Sequence, residues 1–221
     1  MVRDSDSDSE LLERWREGDR QAGTVLFERY YQAVERFFVN KVSDASTEIR
    51  DLVQETFLAL VKQRDRVSNF RSYLFSVAYK RCQDHLRRKY RKDKRGVHIE
   101  LDDISQISVH DLFPSPSAVV HQHEQQRLLL EGLRRLPLEQ QTLLELYYWE
   151  DLRLQQIAEI IGIVPGTVKS RLSSARKKLA KILTSIARSQ EVLESTLSDL
   201  EEWARKCRAL QARGAGPDEG S

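Results

Sequence analysis

The chain has 221 residues, a length that suits one or two small domains. Hydrophobic residues make up 40% of it and charged residues 32%, with only nine glycines and five prolines, so the composition favours an all-α protein with long solvated helices over a β-rich one. The formal net charge is only +2, but acids and bases are segregated along the chain, so local charge is the better indicator of a polyanionic partner.

Several classes of protein are disfavoured by the residues that the chain lacks. The two cysteines, Cys82 and Cys207, form no paired motif, which favours a reducing, cytoplasmic compartment. No apolar stretch approaches about eighteen residues, so we predict no membrane insertion and no export. A glycine-rich phosphate loop, a nucleophile elbow and a metal-ligand cluster are all missing, and His121 and His123 have no further ligands near them. We therefore predict that the protein is not an enzyme and has no cofactor and no metal.

The first part of the chain is predicted to be a short tail followed by a helical domain. Residues 1–9 are acidic and repetitive and are predicted to be disordered. A first helical domain is predicted over residues 10–95, with Asp19 as the N-cap of a long helix. A second helix is predicted over Ile49–Lys62, and a third begins near Phe70 and becomes wholly basic. The apolar stripe of the long helix consists of Leu26, Tyr30, Val34 and Phe37.

The basic end of this domain suggests contact with unpaired bases. Residues 80–95 carry nine basic and two acidic side chains, and four aromatic residues precede them. Aromatic rings beside a basic track suit single-stranded nucleic acid, because bases stack on the rings while phosphates follow the charge. Tyr73 and Phe75 fit a place in the core equally well. Asn69 and Phe70, in the preceding loop, are better candidates for contact with an extruded base.

The middle and end of the chain are predicted to contain a linker, a second domain and a tail. Residues 96–117 combine acids, serines and two prolines without a sustained period, which indicates a flexible linker. A coil of that length typically spans roughly 25 Å and can stretch to about 70 Å. A second helical domain is predicted over residues 118–183. Residues 184–221 form a C-terminal extension with an amphipathic helix and a disordered end, which could pack on either domain or pair with a partner helix.

The most specific motif is a helix-turn-helix over Leu154–Leu183. Gly162 suits a left-handed turn, Pro165 suits the first turn of a new helix, and Ala158 is small enough for a close helix crossing. The outer face of the second helix is basic, and no acid occurs between Glu159 and Glu191. Such a helix is typical of proteins that read duplex DNA in the major groove.

Taken together, the two domains resemble the extracytoplasmic-function (ECF) type of bacterial sigma factor. DLVQETFLAL (Asp51–Leu60) and FRSYLFSVAYKRCQDHLRR (Phe70–Arg88) resemble sigma region 2, and residues 136–179 resemble sigma region 4. The resemblance covers roughly residues 11–183. It implies a factor that binds core RNA polymerase, through the clamp helices and the flap of the large subunits, and directs it to promoter DNA. Region 2 would melt and read the minus-ten element, and region 4 would read the minus-thirty-five element.

The resemblance also implies three sets of contact residues. The polymerase-binding set is Asp51, Gln54, Glu55, Leu58 and Lys62. The region 2 DNA-binding set is Asn69, Phe70, Arg71, Lys80, Arg81, Asp84, His85, Arg87 and Arg88. The region 4 DNA-binding set is Pro165, Gly166, Thr167, Lys169, Ser170, Arg171, Ser174 and Lys177. Lys80 stands where many relatives have Asn, and these two side chains read different base edges.

One alternative function uses the same helix-turn-helix. A dimeric operator-binding regulator would also carry this motif, but it would need no exposed polymerase-binding helix. An anti-sigma factor is a common partner in the ECF family, although no residue here identifies one. Because two weakly binding domains tethered to one polymerase gain from effective concentration, we expect the free protein to bind promoters weakly and to bind them tightly only with core polymerase.

Overall fold

The computed structural model describes residues 6–42, 46–93, 104–112 and 124–187. The regular elements within these ranges are helical, which confirms the predicted all-α class. The helices are α1 (Asp8–Arg16), α2 (Arg20–Val39), α3 (Ser46–Gln63), a 3-10 turn (Arg64–Arg66), α4 (Phe70–Asp93), α5 (Val109–Leu112), α6 (Glu124–Arg134), α7 (Leu138–Tyr148), α8 (Leu154–Ile161) and α9 (Pro165–Ile186).

The N-terminal bundle consists of α1 to α4. Asp19 caps α2, since its carboxylate accepts hydrogen bonds from the amides of Gln21 and Ala22, as the sequence predicts. Gly23 lies where α1 crosses α2, and a Cβ atom there would come within 2.6 Å of Trp15 Nε1. The predicted stripe of α2 is buried against α3 and α4, together with apolar residues from those helices.

The start of the chain is more ordered than its composition suggests. Ser7 caps α1, and Glu10 closes a capping box with the Ser7 amide at 2.8 Å. Asp8 pairs with Arg29 at 2.6 Å and accepts a hydrogen bond from the Tyr30 hydroxyl. The prediction of disorder over residues 1–9 is therefore wrong for residues 6–9, because these acids have basic and hydroxyl partners on α1 and α2. Residues 1–5 lie outside the described ranges.

The C-terminal bundle consists of α6 to α9. The long helix α9 packs against α6, α7 and α8, and a Cβ atom on Gly132 would lie within 2.6 Å of Leu183 Cδ2, so α6 and α9 approach closely. Pro137 directly precedes α7, because proline has the backbone dihedral of a helix start but cannot continue the helix before it.

Part of the predicted linker is packed against this bundle. Ile104 and Val109 are buried, the Leu138 amide donates to the Ile107 carbonyl at 3.0 Å, and His110 lies 3.4 Å from Glu131. The prediction of a flexible coil is therefore wrong for residues 104–112. The predicted remainder of the linker, the C-terminal extension beyond residue 187, and His121, His123 and Cys207 lie outside the described ranges.

The two bundles are not separated in this structure. Helix α4 of the N-terminal bundle packs along α8 of the C-terminal bundle, and the buried apolar side chains of both form one continuous cluster. We call this packed state of the two bundles the closed arrangement.

Candidate nucleic-acid and polymerase-binding surfaces

The helix-turn-helix forms as the sequence predicts. Gly162 ends α8 with a φ of 79°, in the left-handed region that favours glycine, and its amide donates to the Ala158 carbonyl at 2.9 Å. Ala158 is buried at the crossing with α9, and Pro165 is the first residue of α9. The turn therefore fixes the start of α9, the part that would enter a groove.

The face of α9 that points away from the core is open to solvent. Val168, Leu172 and Ala175 bury the inner face. A Cβ atom on Gly166 would meet nothing within 4 Å, so the backbone is accessible at the helix start. Arg171 is held at the flank of this face by an ion pair with Glu139. Of the eight predicted residues, Thr167 and Arg171 are half-buried, and Pro165, Gly166, Lys169, Ser170, Ser174 and Lys177 are exposed.

The predicted polymerase-binding face of α3 is also open. Asp51, Gln54, Leu58 and Lys62 are exposed, and Glu55 is half-exposed and lies 3.4 Å from Arg81. Leu58 is 48% exposed, so its side chain is available for contact with a partner.

Two apolar residues that sequence reasoning missed extend this face. Val61 is 43% exposed and lies one helical turn from Leu58, and Tyr31 is 41% exposed. The ring of Tyr31 stacks on Phe57 with 6.4 Å between centroids and 4° between planes. The i, i+3 spacing of Leu58 and Val61 could have revealed the pair, whereas Tyr31 joins it only through packing of α2 on α3. We call Tyr31, Leu58 and Val61 the apolar patch.

The basic edge of α4 presents only some of its predicted contacts. Lys80 and Arg88 are exposed, Arg81 is half-exposed, and Arg87 pairs with Asp84 at 2.9 Å. His85 is buried, with Nε2 3.6 Å from a carboxylate oxygen of Glu48, so its prediction as a DNA contact is wrong for this structure. Burial lowers the pKa of His85, and the nearby Lys89 and Arg88 act in the same direction while Glu48 opposes them.

The predicted base-capturing loop has one residue in a different role. Phe70 is only 2% exposed and packs against Tyr30 with 5.5 Å between ring centroids, so the prediction that it contacts an extruded base is wrong for this structure. Asn69 is exposed and caps α4, since its side-chain oxygen accepts from the Ser72 amide at 2.8 Å. For Tyr73 and Phe75 the sequence allowed either contact with bases or a place in the core. Phe75 is fully buried and therefore belongs to the core, whereas Tyr73 is half-buried.

The third residue of that loop, Arg71, belongs to a group of charges that sequence reasoning missed. Arg71 donates to the Glu150 carbonyl oxygen, and its guanidinium lies 3.6 Å from the Glu150 carboxylate. Arg36 donates to the same carboxylate at 2.7 Å, and Lys41 pairs with Glu145. We call Arg36, Lys41, Arg71, Glu145 and Glu150 the interbundle cluster. No pattern in the sequence marks it, because the partners of each contact lie more than seventy residues apart along the chain.

Comparison with known proteins identifies the family of this chain. The family model described as ECF sigma factor matches residues 6–185. The chain belongs to the ECF sigma factor family. It is 28% identical over 180 residues to the ECF RNA polymerase sigma-E factor of Haemophilus influenzae, covering 78% of this chain and 93% of that one. It is also 28% identical over 193 residues to the RNA polymerase sigma-H factor of Pseudomonas aeruginosa, covering 83% and 97%.

A solved structure has the same fold. CnrH, in a complex with the cytosolic domain of CnrY, matches this ECF sigma factor with a TM-score of 0.58 at 19% identity, over 82% of this chain and all of the other. At that identity the likeness establishes the fold. Family membership establishes the function: the protein is an alternative sigma factor that binds core RNA polymerase and promoter DNA to direct transcription initiation. Sigma factors direct the polymerase and are not themselves enzymes. Within the described ranges, no helix of this one has the length and hydropathy needed to cross a membrane.

Proposed function

We propose that this ECF sigma factor has three contact surfaces, one for core polymerase and two for promoter DNA. The exposed face of α3 with the apolar patch binds core polymerase. Asn69, Arg71 and the basic edge of α4 engage the minus-ten element, and the start of α9 reads the minus-thirty-five element. The protein would act in the cytoplasm, together with the polymerase. The observation that carries the proposal is that one chain presents both an apolar patch beside acids and amides and an exposed, preformed groove-reading helix.

The apolar patch supports a protein partner rather than a nucleic acid at α3. Isolated exposed apolar residues are ordinary, but Leu58 and Val61 share one face and Tyr31 extends it across to α2. Asp51 and Gln54 on the same helix would repel or only weakly contact a phosphate backbone. Apolar anchors with a polar rim are the usual composition of a protein–protein contact.

The exposed basic side chains support separate DNA contacts on α4 and α9. Lys80 and Arg88 lie on the N-terminal bundle, and Lys169 and Lys177 lie on the recognition helix. Phosphate contacts of this kind position the protein, while small side chains at the helix start allow the backbone to approach base edges. Phe70 and His85 are left out of the proposed contacts because both are buried.

Run-off transcription with purified core polymerase tests the assignment of the three surfaces. We expect transcripts that depend on the added protein from templates selected out of a promoter library. Leu58→Asp should abolish them together with polymerase binding. Lys169→Ala should instead weaken initiation mainly on promoters that depend on their upstream element, while binding to polymerase persists. Wild-type protein that binds core polymerase but initiates no better than core alone would contradict the proposal.

A further inference from the structure

The connection between α3 and α4 is held by the last residue of α1. Arg16 ends α1, and its Nε donates to the Arg64 carbonyl at 3.1 Å while its Nη2 donates to the Val67 carbonyl. Arg64 begins the 3-10 turn, and Val67 directly follows it. One guanidinium therefore bridges the two ends of the turn, a contact that its planar fork of donors suits.

This contact from α1 supports a turn whose own closing hydrogen bond is weak. The Val67 amide donates to the Arg64 carbonyl at 3.4 Å, which is long for a bond of this kind. Trp15 adds a second contact from α1, because the Arg64 guanidinium lies 5.9 Å from the centroid of its ring. The Trp15 ring is itself buried and packs edge-on against Phe27, with 5.4 Å between centroids. The end of α1 is therefore a firm support for the turn.

The Val67 carbonyl belongs to the peptide unit that leads into an exposed pair of residues. Val67 is 2% exposed, whereas Ser68 and Asn69 are exposed. A hydrogen bond to this carbonyl fixes the orientation of the whole peptide unit, because a peptide unit is planar and rigid. On the other side, the Asn69 carbonyl accepts from the Tyr73 amide at 3.1 Å. The backbone of Asn69 is therefore set from one side by Arg16 and from the other by α4.

Asn69 can donate to a base while it caps α4. The cap uses the side-chain oxygen, which accepts from the Ser72 amide at 2.8 Å, so the NH2 group can serve an acceptor on a base. A group that is held in place before the base arrives binds more tightly, because binding then pays less to order it. The Arg16 side chain is only 26% exposed and lies 3.5 Å from Glu13, so it is not itself part of this surface.

We propose that Arg16 is a positioning residue for recognition of the minus-ten element. It acts through the Val67 carbonyl on Asn69, without touching DNA itself. This role rests on the function proposed above for Asn69. Without the guanidinium, residues 64–69 take several orientations, and only a fraction of them present Asn69 to the base. The apparent affinity then falls in proportion to that fraction.

Replacement of Arg16 tests this role in holoenzyme assembled from the full chain and core polymerase. The probe is a labelled non-template-strand oligonucleotide that carries the minus-ten element of a promoter selected by run-off transcription. Arg16→Ala should weaken its binding about 10-fold, because ordering one freed backbone residue costs roughly a factor of 5 to 30. Binding to core polymerase should not change. Arg20→Ala is the matched control, since it removes the same charge from an exposed position at the start of α2 and should bind as wild type.

Arg16→Lys separates positioning from a direct contact between this charge and DNA. Lysine keeps the charge but lacks the planar fork, so the affinity should stay close to that of Arg16→Ala. Hydrogen–deuterium exchange over residues 64–69 should rise in both variants, while far-UV circular dichroism stays as in wild type. If Arg16→Ala loses its helical circular dichroism, Arg16→Lys against wild type gives the same comparison. Wild-type affinity in Arg16→Lys, or unchanged exchange in both variants, overturns the proposal.

A double-variant cycle identifies the side chain through which Arg16 acts. Asn69→Ser keeps a good helix cap but removes the NH2 group. Because Arg16 acts through Asn69, the double variant should bind about as weakly as Asn69→Ser alone, whereas effects that multiply overturn the proposal. If wild-type holoenzyme binds the oligonucleotide no better than a scrambled one, the function proposed for Asn69 fails, and the positioning role fails with it. If wild type discriminates and Arg16→Ala binds equally well, the positioning role alone fails.

Discussion

Lys41 and Glu145 lie more than a hundred residues apart in the sequence and form an ion pair between the two bundles. The lysine is fully buried and the glutamate nearly so, at 8% exposure. A buried charge is tolerated only when it is paired. Loss of either partner would leave the other charge buried and unpaired, and would therefore destabilise the closed arrangement. Opening the bundles returns both charges to water, which makes the pair a contact that can be released.

The pair should respond differently to single and double replacement. Lys41→Met leaves Glu145 buried without its partner, a change that typically costs about 3–5 kcal/mol, so the bundles should separate. Adding Glu145→Leu removes the second charge and should restore closure.

Burial raises the pKa of the Cys82 thiol to about 12, and Cys82 lies near this pair, so its labelling by a maleimide reports opening. With Cys207→Ser as background, labelling should be fast in the single variant and slow in the double; equal rates would argue against the pair as the closing contact.

Polymerase binding should depend on the apolar patch. Because Leu58 is about half exposed, Leu58→Ala should leave the thermal unfolding midpoint nearly unchanged. It should weaken binding to core polymerase by about 30-fold, the effect of a hot spot worth about 2 kcal/mol. Arg50→Ala, an exposed position on α3 outside the predicted set, serves as the control and should bind as wild type. Binding can be measured by fluorescence anisotropy of the labelled sigma factor, and an unchanged affinity for Leu58→Ala would place the contact elsewhere.

The free energy of unfolding should decrease as the pH falls, because His85 has a lowered pKa in the folded protein. Its pKa in the folded protein is below the ordinary value of 6.5, chiefly through burial, so the unfolded chain takes up a proton more readily than the folded one. The stabilisation is full above the unfolded pKa and is lost as the pH falls below it. Between about pH 7 and pH 5.5, the unfolding midpoint of wild type should therefore fall more steeply than that of His85→Gln. Parallel curves for the two proteins would show that His85 does not contribute.

Two glycines near the helix-turn-helix should respond in opposite ways to alanine. Gly162 has a φ of 79°, so Gly162→Ala should destabilise the protein by about 1–2 kcal/mol although space is open around it. Gly166 lies inside the first turn of α9 with open space around it, so Gly166→Ala should raise stability by up to about 1 kcal/mol. Urea unfolding followed by circular dichroism measures both. A destabilising Gly166→Ala would mean that the helix start is constrained in some other way.

The sequence by itself determined the helices, the turn and the family. Apolar spacing defined the inner face of α2, and local chemistry defined Gly162, Pro165 and the Asp19 cap, because these features depend on residues within a few positions of each other. The motifs of the two domains then identified the family, which the family model confirms. The basic outer face of α9 also followed from the order of its residues.

Only the tertiary structure decided which basic and aromatic residues are free. The residue types of Phe70 and His85 do not distinguish contact with DNA from a place in the core. Their burial follows from packing of Phe70 against Tyr30 and of His85 beside Glu48. Arg71 is bound by Glu150, which follows the C-terminal end of α7 and lies far from Arg71 in the sequence. Charge and hydropathy along a chain describe what a residue can bind, but its partner is set by which elements fold against it, and that depends on contacts between residues far apart in sequence.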